Sequence, residues 1–248
     1  METTLNALTN VGTIFDLGSE SGSPEVVEGS ATMIDTIRFV AHQREDVDIF
    51  YTPYGSPDSP NGSKTGRPDF LTVKYDDASS SKIGLSTTSS QTYLYQIDRA
   101  QFTDTSVAFD LDVSENAGSA LALYNAGFNE LPSPRIFGQW IAKSDEIDSA
   151  NDSKAGSIKD DVDMTTLAQS MIDTYAPGLS NEVLVAVLFK NVLGKEATTE
   201  ELALSNLIDN GTFTQGEFFA LAARQEQNTI EITGTTTGMA YTEDSKIG

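Results

Sequence analysis

The stretch from Leu179 to Phe219 constrains this chain most, because its helix starts and stops can be read residue by residue. Val185, Leu188, Phe189 and Val192 recur at the i, i+3, i+4, i+7 spacing of one helix face, which predicts an amphipathic helix packed on a core. Ser180 suits its N-cap, Glu182 its first turn, and Gly194 its stop. Lys190 and Lys195 place positive charge near the C-terminal end, where the helix dipole favours it. Two more starts each form a Thr-x-x-Glu capping box: Thr198 with Glu201, and Thr214 with Glu217. Asp209-Asn210-Gly211 makes the turn between them. Three short helices are therefore expected.

Upstream the period is two. Ile34, Thr36, Arg38 and Val40 alternate with Met33, Asp35, Ile37 and Phe39, which predicts a strand over Met33–Ala41. Further strands are expected at Val47–Tyr51, Phe70–Tyr75 and Thr92–Ile97, with short ones at Phe102 and Val107–Phe109. Loops rich in Pro, Gly and Ser separate them, notably 53–68. Ahead of these, residues 1–30 hold one apolar pattern (Leu5, Leu8, Val11, Ile14, Phe15) and then a Gly/Ser/Glu-rich run. They read as an arm or linker, either disordered or docked on a neighbouring subunit.

Helical spacing returns near Asn116. One helix is expected from Leu121 to Phe128, a second over Arg135–Ile147 with Phe137, Trp140 and Ile141 on one face, and a third over Met164–Tyr175. Lys143–Asp163 reads as a polar surface insertion. Leu123–Phe128 answers Leu188–Leu193, and Asp163-Met164-Thr165 answers Thr212-Phe213-Thr214, an internal repeat of a three-helix unit. Thr229–Ile232 is a last short strand candidate.

LVAVLFKNVLGKEATTEEL followed by IDNGTFTQGEFFALAA resembles the helical repeat of unknown function found near the C-termini of many exported bacterial proteins. Those proteins often leave by type I secretion and often carry RTX-type calcium-binding repeats. Ile34–Phe39, Ile97–Asp104 and Ala108–Asp112 resemble the β segment that precedes that repeat in marine and cyanobacterial examples. There the link to the first helix carries Asp-Gly-Asn-Ala-Gly. Here it reads Asp112-Val113-Ser114-Glu115-Asn116-Ala117-Gly118, which departs from that pattern, and the glycine-rich nonapeptide repeats are absent from the sequence. The resemblance spans roughly residues 32 to 242. It implies an exported or cell-surface context and no known activity.

The formal net charge is −22, which argues against nucleic acid or an anionic membrane surface as a partner. Two readings of this charge stand: a solvated acidic surface that keeps an exported protein soluble, or carboxylates of which some bind calcium. With no cysteine, disulfides, thiol nucleophiles and thiolate metal sites are excluded. The sequence has no apolar run of transmembrane length, so no membrane insertion is expected. The first 23 residues lack a basic n-region and a continuous apolar h-region, so export would rely on an uncleaved C-terminal signal.

Catalytic chemistry is hard to assemble. His42 is the one histidine, and beside Gln43-Arg44-Glu45 it reads as a solvated turn residue rather than a general base. No Gly-x-Ser-x-Gly elbow presents a serine, and Gly62-Ser63-Lys64-Thr65-Gly66 lacks phosphate-loop spacing. No enzyme activity is expected. Calcium is the better chemical hypothesis, with Asp110, Asp112 and Glu115 at the β-to-helix junction as metal ligands. Asp46 with Asp48, and Asp160, Asp161 and Asp163, form further acidic groups. N-cap or turn roles are the competing reading for Asp110 and Asp112. Asp209…Glu217 imitates half of a calcium-binding loop, but Ile208 falls on a ligand position, and Glu217 is better explained by its capping box.

These observations predict an α+β protein, a small antiparallel β domain followed by an all-α bundle of about six helices in two related halves. The boundaries are 1–30 for the arm, 31–112 for the β domain, 113–228 for the helical repeat domain, and 229–248 for a tail with a candidate secretion signal. The expected function is that of a non-catalytic exported structural protein, extracellular or at the cell surface. It would assemble with copies of itself or anchor to a larger assembly, with calcium as the stabilising ion. A phage or virion accessory protein and a calcium-dependent glycan-binding or adhesion module are the alternatives.

Overall fold

The computed structural model describes residues 11–17, 25–29, 33–52, 70–76, 89–151, 159–229 and 238–243. The fold is α+β, a β part of two small mixed sheets followed by a helical part. In chain order the strands are β1 (Val11–Leu17), β2 (Glu25–Glu28), β3 (Ile34–Phe39), β4 (Val47–Thr52), β5 (Phe70–Asp76), β6 (Ser89–Tyr95), β7 (Arg99–Gln101) and β8 (Ser106–Ala108). The helices follow as α1 (Asn116–Phe128), α2 (Pro134–Asn151), α3 (Lys159–Tyr175), α4 (Asn181–Leu193), α5 (Thr199–Leu202), α6 (Ser205–Asp209), α7 (Gln215–Ala223) and α8 (Glu226–Thr229), and β9 (Met239–Tyr241) closes the order. The strands form one compact unit and the helices another.

One sheet runs β1-β3-β7-β8-β9 and the other β2-β6-β5-β4. The sheets are mixed where antiparallel pairing was expected, because β1 pairs with β3, β3 with β7 and β2 with β6 in parallel. The extra strands come from residues 1–30, read from sequence as an arm. Leu17 and Val27, one from each of these strands, are buried in the core shared by both sheets. Ile37, Phe39, Ala100 and Val107 enter that core from one sheet, and Val47, Ile49, Val73 and Leu94 from the other. Phe39 stacks on Phe102 with ring centroids 4.8 Å apart. β9 adds to β8 from the region expected to be a tail.

Strand β3 keeps the alternation its sequence predicts, with Asp35, Ile37 and Phe39 inward. An acid therefore shares a face with two core residues, a costly placement unless its oxygens find donors.

In the helical unit, α1 is buried at every position from Ala117 to Ala126, as expected of a helix surrounded by others. The α4 face buries Leu184, Val185, Leu188 and Val192. Phe189 is only half-buried, with the Lys195 ammonium 5.7 Å from its ring centre. Ser180 accepts from the Val183 amide, and both predicted capping boxes are closed. Gly194 and Gly211 take φ of 65° and 75°, the left-handed conformation that a helix stop and a tight turn need.

The expected insertion over 143–163 is instead mostly helix. α2 continues to Asn151 and α3 begins at Lys159, because polar residues on outer faces do not interrupt a helix whose inner face holds Ile147 and Met164. The expected repeat holds for α1 and α4, which have equal lengths and left-handed stops at Asn129 and Gly194. It ends there, since Asp163–Thr165 lies inside α3 whereas Thr214 caps α7. Thr229 ends α8 rather than opening a strand. Residues 230–232, the 53–68 loop with its Gly62–Gly66 run, and Leu5 and Leu8 lie outside the described residues.

Candidate functional site

Asp110, Asp112 and Glu115 all stand at the start of α1. Asp110 is buried. Its Oδ2 accepts from the Ala117 amide at 3.2 Å, and its carbonyl from the Gly118 amide at 2.9 Å. Asp112 Oδ1 accepts from the Ser114 amide at 3.0 Å and the Ser114 hydroxyl at 2.7 Å. Glu115 Oε2 accepts from the Asp112 amide at 3.1 Å, while the Glu115 amide returns to the Asp112 carbonyl at 2.8 Å. A Cβ on Gly118 would strike that same carbonyl. The three carboxylates thus satisfy amides around the helix start, as the N-cap and turn reading anticipates. Among the described residues, no group of three or more His, Cys, Asp or Glu is placed to hold a metal ion.

Asp46, Asn210 and Glu217 also act on backbone. Asp46 Oδ2 accepts from the Gln43 amide at 3.0 Å in a capped 3-10 turn over Arg44–Asp46. Asn210 Oδ1 accepts from the Thr212 amide and hydroxyl, and Glu217 Oε2 from the Thr214 amide. His42, expected at a solvated turn, is buried. Its carbonyl accepts from the Thr103 amide and hydroxyl, both at 3.0 Å, which pulls its loop inward. Asp104 accepts from the Arg44 amide at 2.8 Å, and the Arg44 guanidinium lies 5.7 Å from the Phe102 ring centre. The run Phe102-Thr103-Asp104 is therefore a clasp on the β3–β4 connection.

A polar cluster that sequence reasoning did not single out lies inside the β unit. Asp35, 1 % exposed, accepts from the Thr13 amide through Oδ1. The Asp35 amide donates to Asp98 Oδ2 at 2.7 Å, and the Asp98 amide returns to the Asp35 carbonyl at 3.0 Å. The Asp98 carbonyl accepts from the Phe109 amide at 2.8 Å and from Arg99, itself buried, at 3.3 Å. Gly12 and Gly29 face the two oxygens of Asp35: a Cβ on Gly12 would overlap Oδ1, and one on Gly29 would press on Oδ2 and on the Gln96 carbonyl. The β1–β3 register is irregular between Val11 and Ile14, where the Asp35 oxygen reaches the Thr13 amide. An acid at an inward position of an alternating strand is the signal that would have pointed here.

On the helical unit, Trp140 is buried as expected and donates from Nε1 to the Tyr175 hydroxyl at 3.0 Å. Phe128 meets Tyr175 edge-on at 5.0 Å and Tyr124 at 4.5 Å. Phe128 and Tyr175 are exposed, as is nearby-in-sequence Leu131. Burial, with the negative charge of Glu130 adding to it, raises the Tyr124 phenol above its ordinary pKa.

No family model, curated protein or solved structure matches this chain. No helix among the described residues is long and apolar enough to cross a membrane.

Proposed function

We propose that this protein is a non-catalytic structural component, exported to the cell surface or beyond, that assembles with copies of itself or anchors to a larger assembly. The observation that carries the reading is the use made of its acids. Asp35, Asp46, Asp98, Asp110, Asp112, Glu115 and Glu217 all accept from backbone amides at strand edges, turns and helix starts. The polar chemistry serves architecture. The resemblance of the α4–α7 segment to the helical repeat of type I-secreted proteins supports the exported setting, and the end strands of both sheets supply edges by which copies can join.

Light scattering of the purified protein, in calcium and then in chelator, tests this. Oligomers in either condition support assembly, and oligomers that vanish in chelator assign calcium to it. A monomer in both would overturn self-assembly and direct the search to a host particle. The exposed Phe128 and Tyr175 rings favour a second reading, a glycan-binding or adhesion module. Loss of glycan retention in Tyr175→Ala would support it.

A further inference from the structure

Two helices of the helical unit end at one place. Phe128 is the last residue of α1 and Tyr175 the last of α3, and their rings meet edge-on, 5.0 Å apart at 81°. The negative ends of two helix dipoles therefore come together on its surface. A perpendicular pair of rings makes a corner rather than a stack, and the two residues stay 39 % and 43 % exposed. Buried neighbours hold the corner from behind, Tyr124 at 4.5 Å from Phe128 and Trp140 at 5.7 Å from Tyr175.

A carboxylate stands beside the corner. The Tyr124 hydroxyl donates to Glu130, two residues past the end of α1. Among the described residues, no lysine or arginine pairs with Glu130. Lys190 and Lys195, at the end of α4, are taken by Glu196 and Glu201. Exposed ring faces, an uncompensated carboxylate and two helix C-terminal ends all favour positive charge. The −22 net charge draws a cation towards the molecule as a whole.

The kind of cation follows from the acceptors. Asn191 Nδ2 donates to the Ala126 and Gly127 carbonyls at 3.0 and 2.7 Å, and Trp140 donates to the Tyr175 hydroxyl. A primary ammonium brings three N–H donors, each needing an acceptor. A quaternary ammonium brings none, and it presents apolar methyl groups that suit a ring face. We infer that Phe128, Tyr175 and Glu130 form a binding site for a quaternary ammonium group, its methyl groups on the rings and its charge balanced by the carboxylate. This use of the rings is independent of self-assembly, and it gives them a charged ligand in place of a neutral glycan.

The single tryptophan makes the test direct. Its indole N–H bonds Tyr175, so one NMR resonance reports on a ligand at that ring. The full chain is titrated with choline, with the uncharged tert-butyl isostere of choline, with ethanolamine and with a neutral glucose oligosaccharide. Choline should shift the indole resonance and the Phe128 and Glu130 amides to saturation. It should bind about two- to fivefold tighter than the isostere, the factor an exposed cation–π contact supplies. Glu130 is exposed, so Glu130→Gln leaves the packing alone; it should weaken choline and spare the isostere. Phe128→Leu keeps apolar bulk without the ring, and should lower choline to the level of the isostere.

If Phe128→Leu fails to fold, the ligand comparison and Glu130→Gln decide the matter without it. Equal affinity for choline and its isostere would overturn the site, as would choline that shifts none of the three resonances. Tighter binding of ethanolamine or of the oligosaccharide would overturn it too, the last in favour of a glycan. Phosphatidylcholine vesicles separate two sources of the group. Choline binding with co-sedimentation supports the site and assigns it a lipid headgroup; choline binding without co-sedimentation supports it with a soluble ligand.

Discussion

Trp140 donates its indole N–H to the hydroxyl of Tyr175, joining the middle of α2 to the last residue of α3. The indole is 1 % exposed, so without this acceptor a polar group would sit dry in the core. Tyr175→Phe keeps the ring beside Phe128 and removes only the oxygen. A loss of about 1–3 kcal/mol is expected, the range for a buried donor left unsatisfied. Trp140 is the one tryptophan, so its fluorescence during urea unfolding reads this change directly on the helical unit. An unchanged midpoint would show that the bond contributes nothing.

The Asp35 cluster makes a prediction for the β unit. Asp35→Ala strips the Thr13 amide of its acceptor and leaves a gap beside two glycines, with an expected loss of about 1–3 kcal/mol. Gly12→Val attacks the same point from the other side, since its Cβ would overlap the Asp35 carboxylate, and about 1–3 kcal/mol is expected for such overpacking. Both variants should raise amide exchange in β1 more than in β4 and β5. Uniform acceleration across all strands would refute the local role.

Glu201 gives the clearest pH dependence. The Lys195 ammonium hydrogen-bonds its carboxylate at 2.6 Å and the Thr198 amide adds a second bond at 2.8 Å. Together they lower its pKa from 4.5 to about 2. A folded pKa below the unfolded one means stabilisation that is present above pH 4.5 and lost as pH falls towards 2. NMR titration of the Glu201 side chain should place its midpoint near 2, and Lys195→Met should move it upward. A midpoint unmoved in that variant would assign the shift to the cap alone.

Asp16 titrates in the same direction, its carboxyl held below 3.8 by the hydrogen bond from Arg38. Acid below that value should therefore weaken β1 on β3. In Asp16→Asn, β1 amide exchange should be faster than in the unmodified protein at neutral pH, and the difference should shrink as pH falls. A difference constant with pH would point to packing rather than charge.

At the α1 start, Asp110→Ala removes the side-chain acceptor of the Ala117 amide. By the usual worth of a helix cap, ~1 kcal/mol should be lost. Thermal unfolding in chelator tests this, because in that buffer the loss has no metal component. Full stability there would remove the capping role.

How much of this was legible depended on the reach of each interaction. Ser180, Thr198 and Thr214 were readable because a cap bonds an amide within three residues, so its spacing survives in the sequence. Trp140 was readable from its helical neighbours Phe137 and Ile141. β1 and β2 were not, because a parallel strand is defined by a distant partner: Phe15 finds Ile37, and Val26 finds Tyr93. Their Gly- and Ser-rich flanks look like linker on composition alone. The burial of His42 was hidden for the same reason, since it depends on Thr103. At Asp110 and Asp112 the sequence favours N-cap or turn roles over metal ligation, but which amides they meet depends on how the turn folds.

The position of β9 bears on how the molecule comes into being. Met239, Ala240 and Tyr241 pair with Ala108, Val107 and Ser106, and the Tyr241 carbonyl accepts from the Thr105 hydroxyl at 3.0 Å. Every helix from α1 to α8 is synthesised between those two strands. On the ribosome, the five-stranded sheet must wait with β8 lacking one neighbour until the helices have emerged, so its completion is a late, long-range step. A chain arrested after Thr229 would carry α1 to α8 and still present an unfinished sheet. That species would show its vulnerability to proteases and to aggregation at the β8 edge.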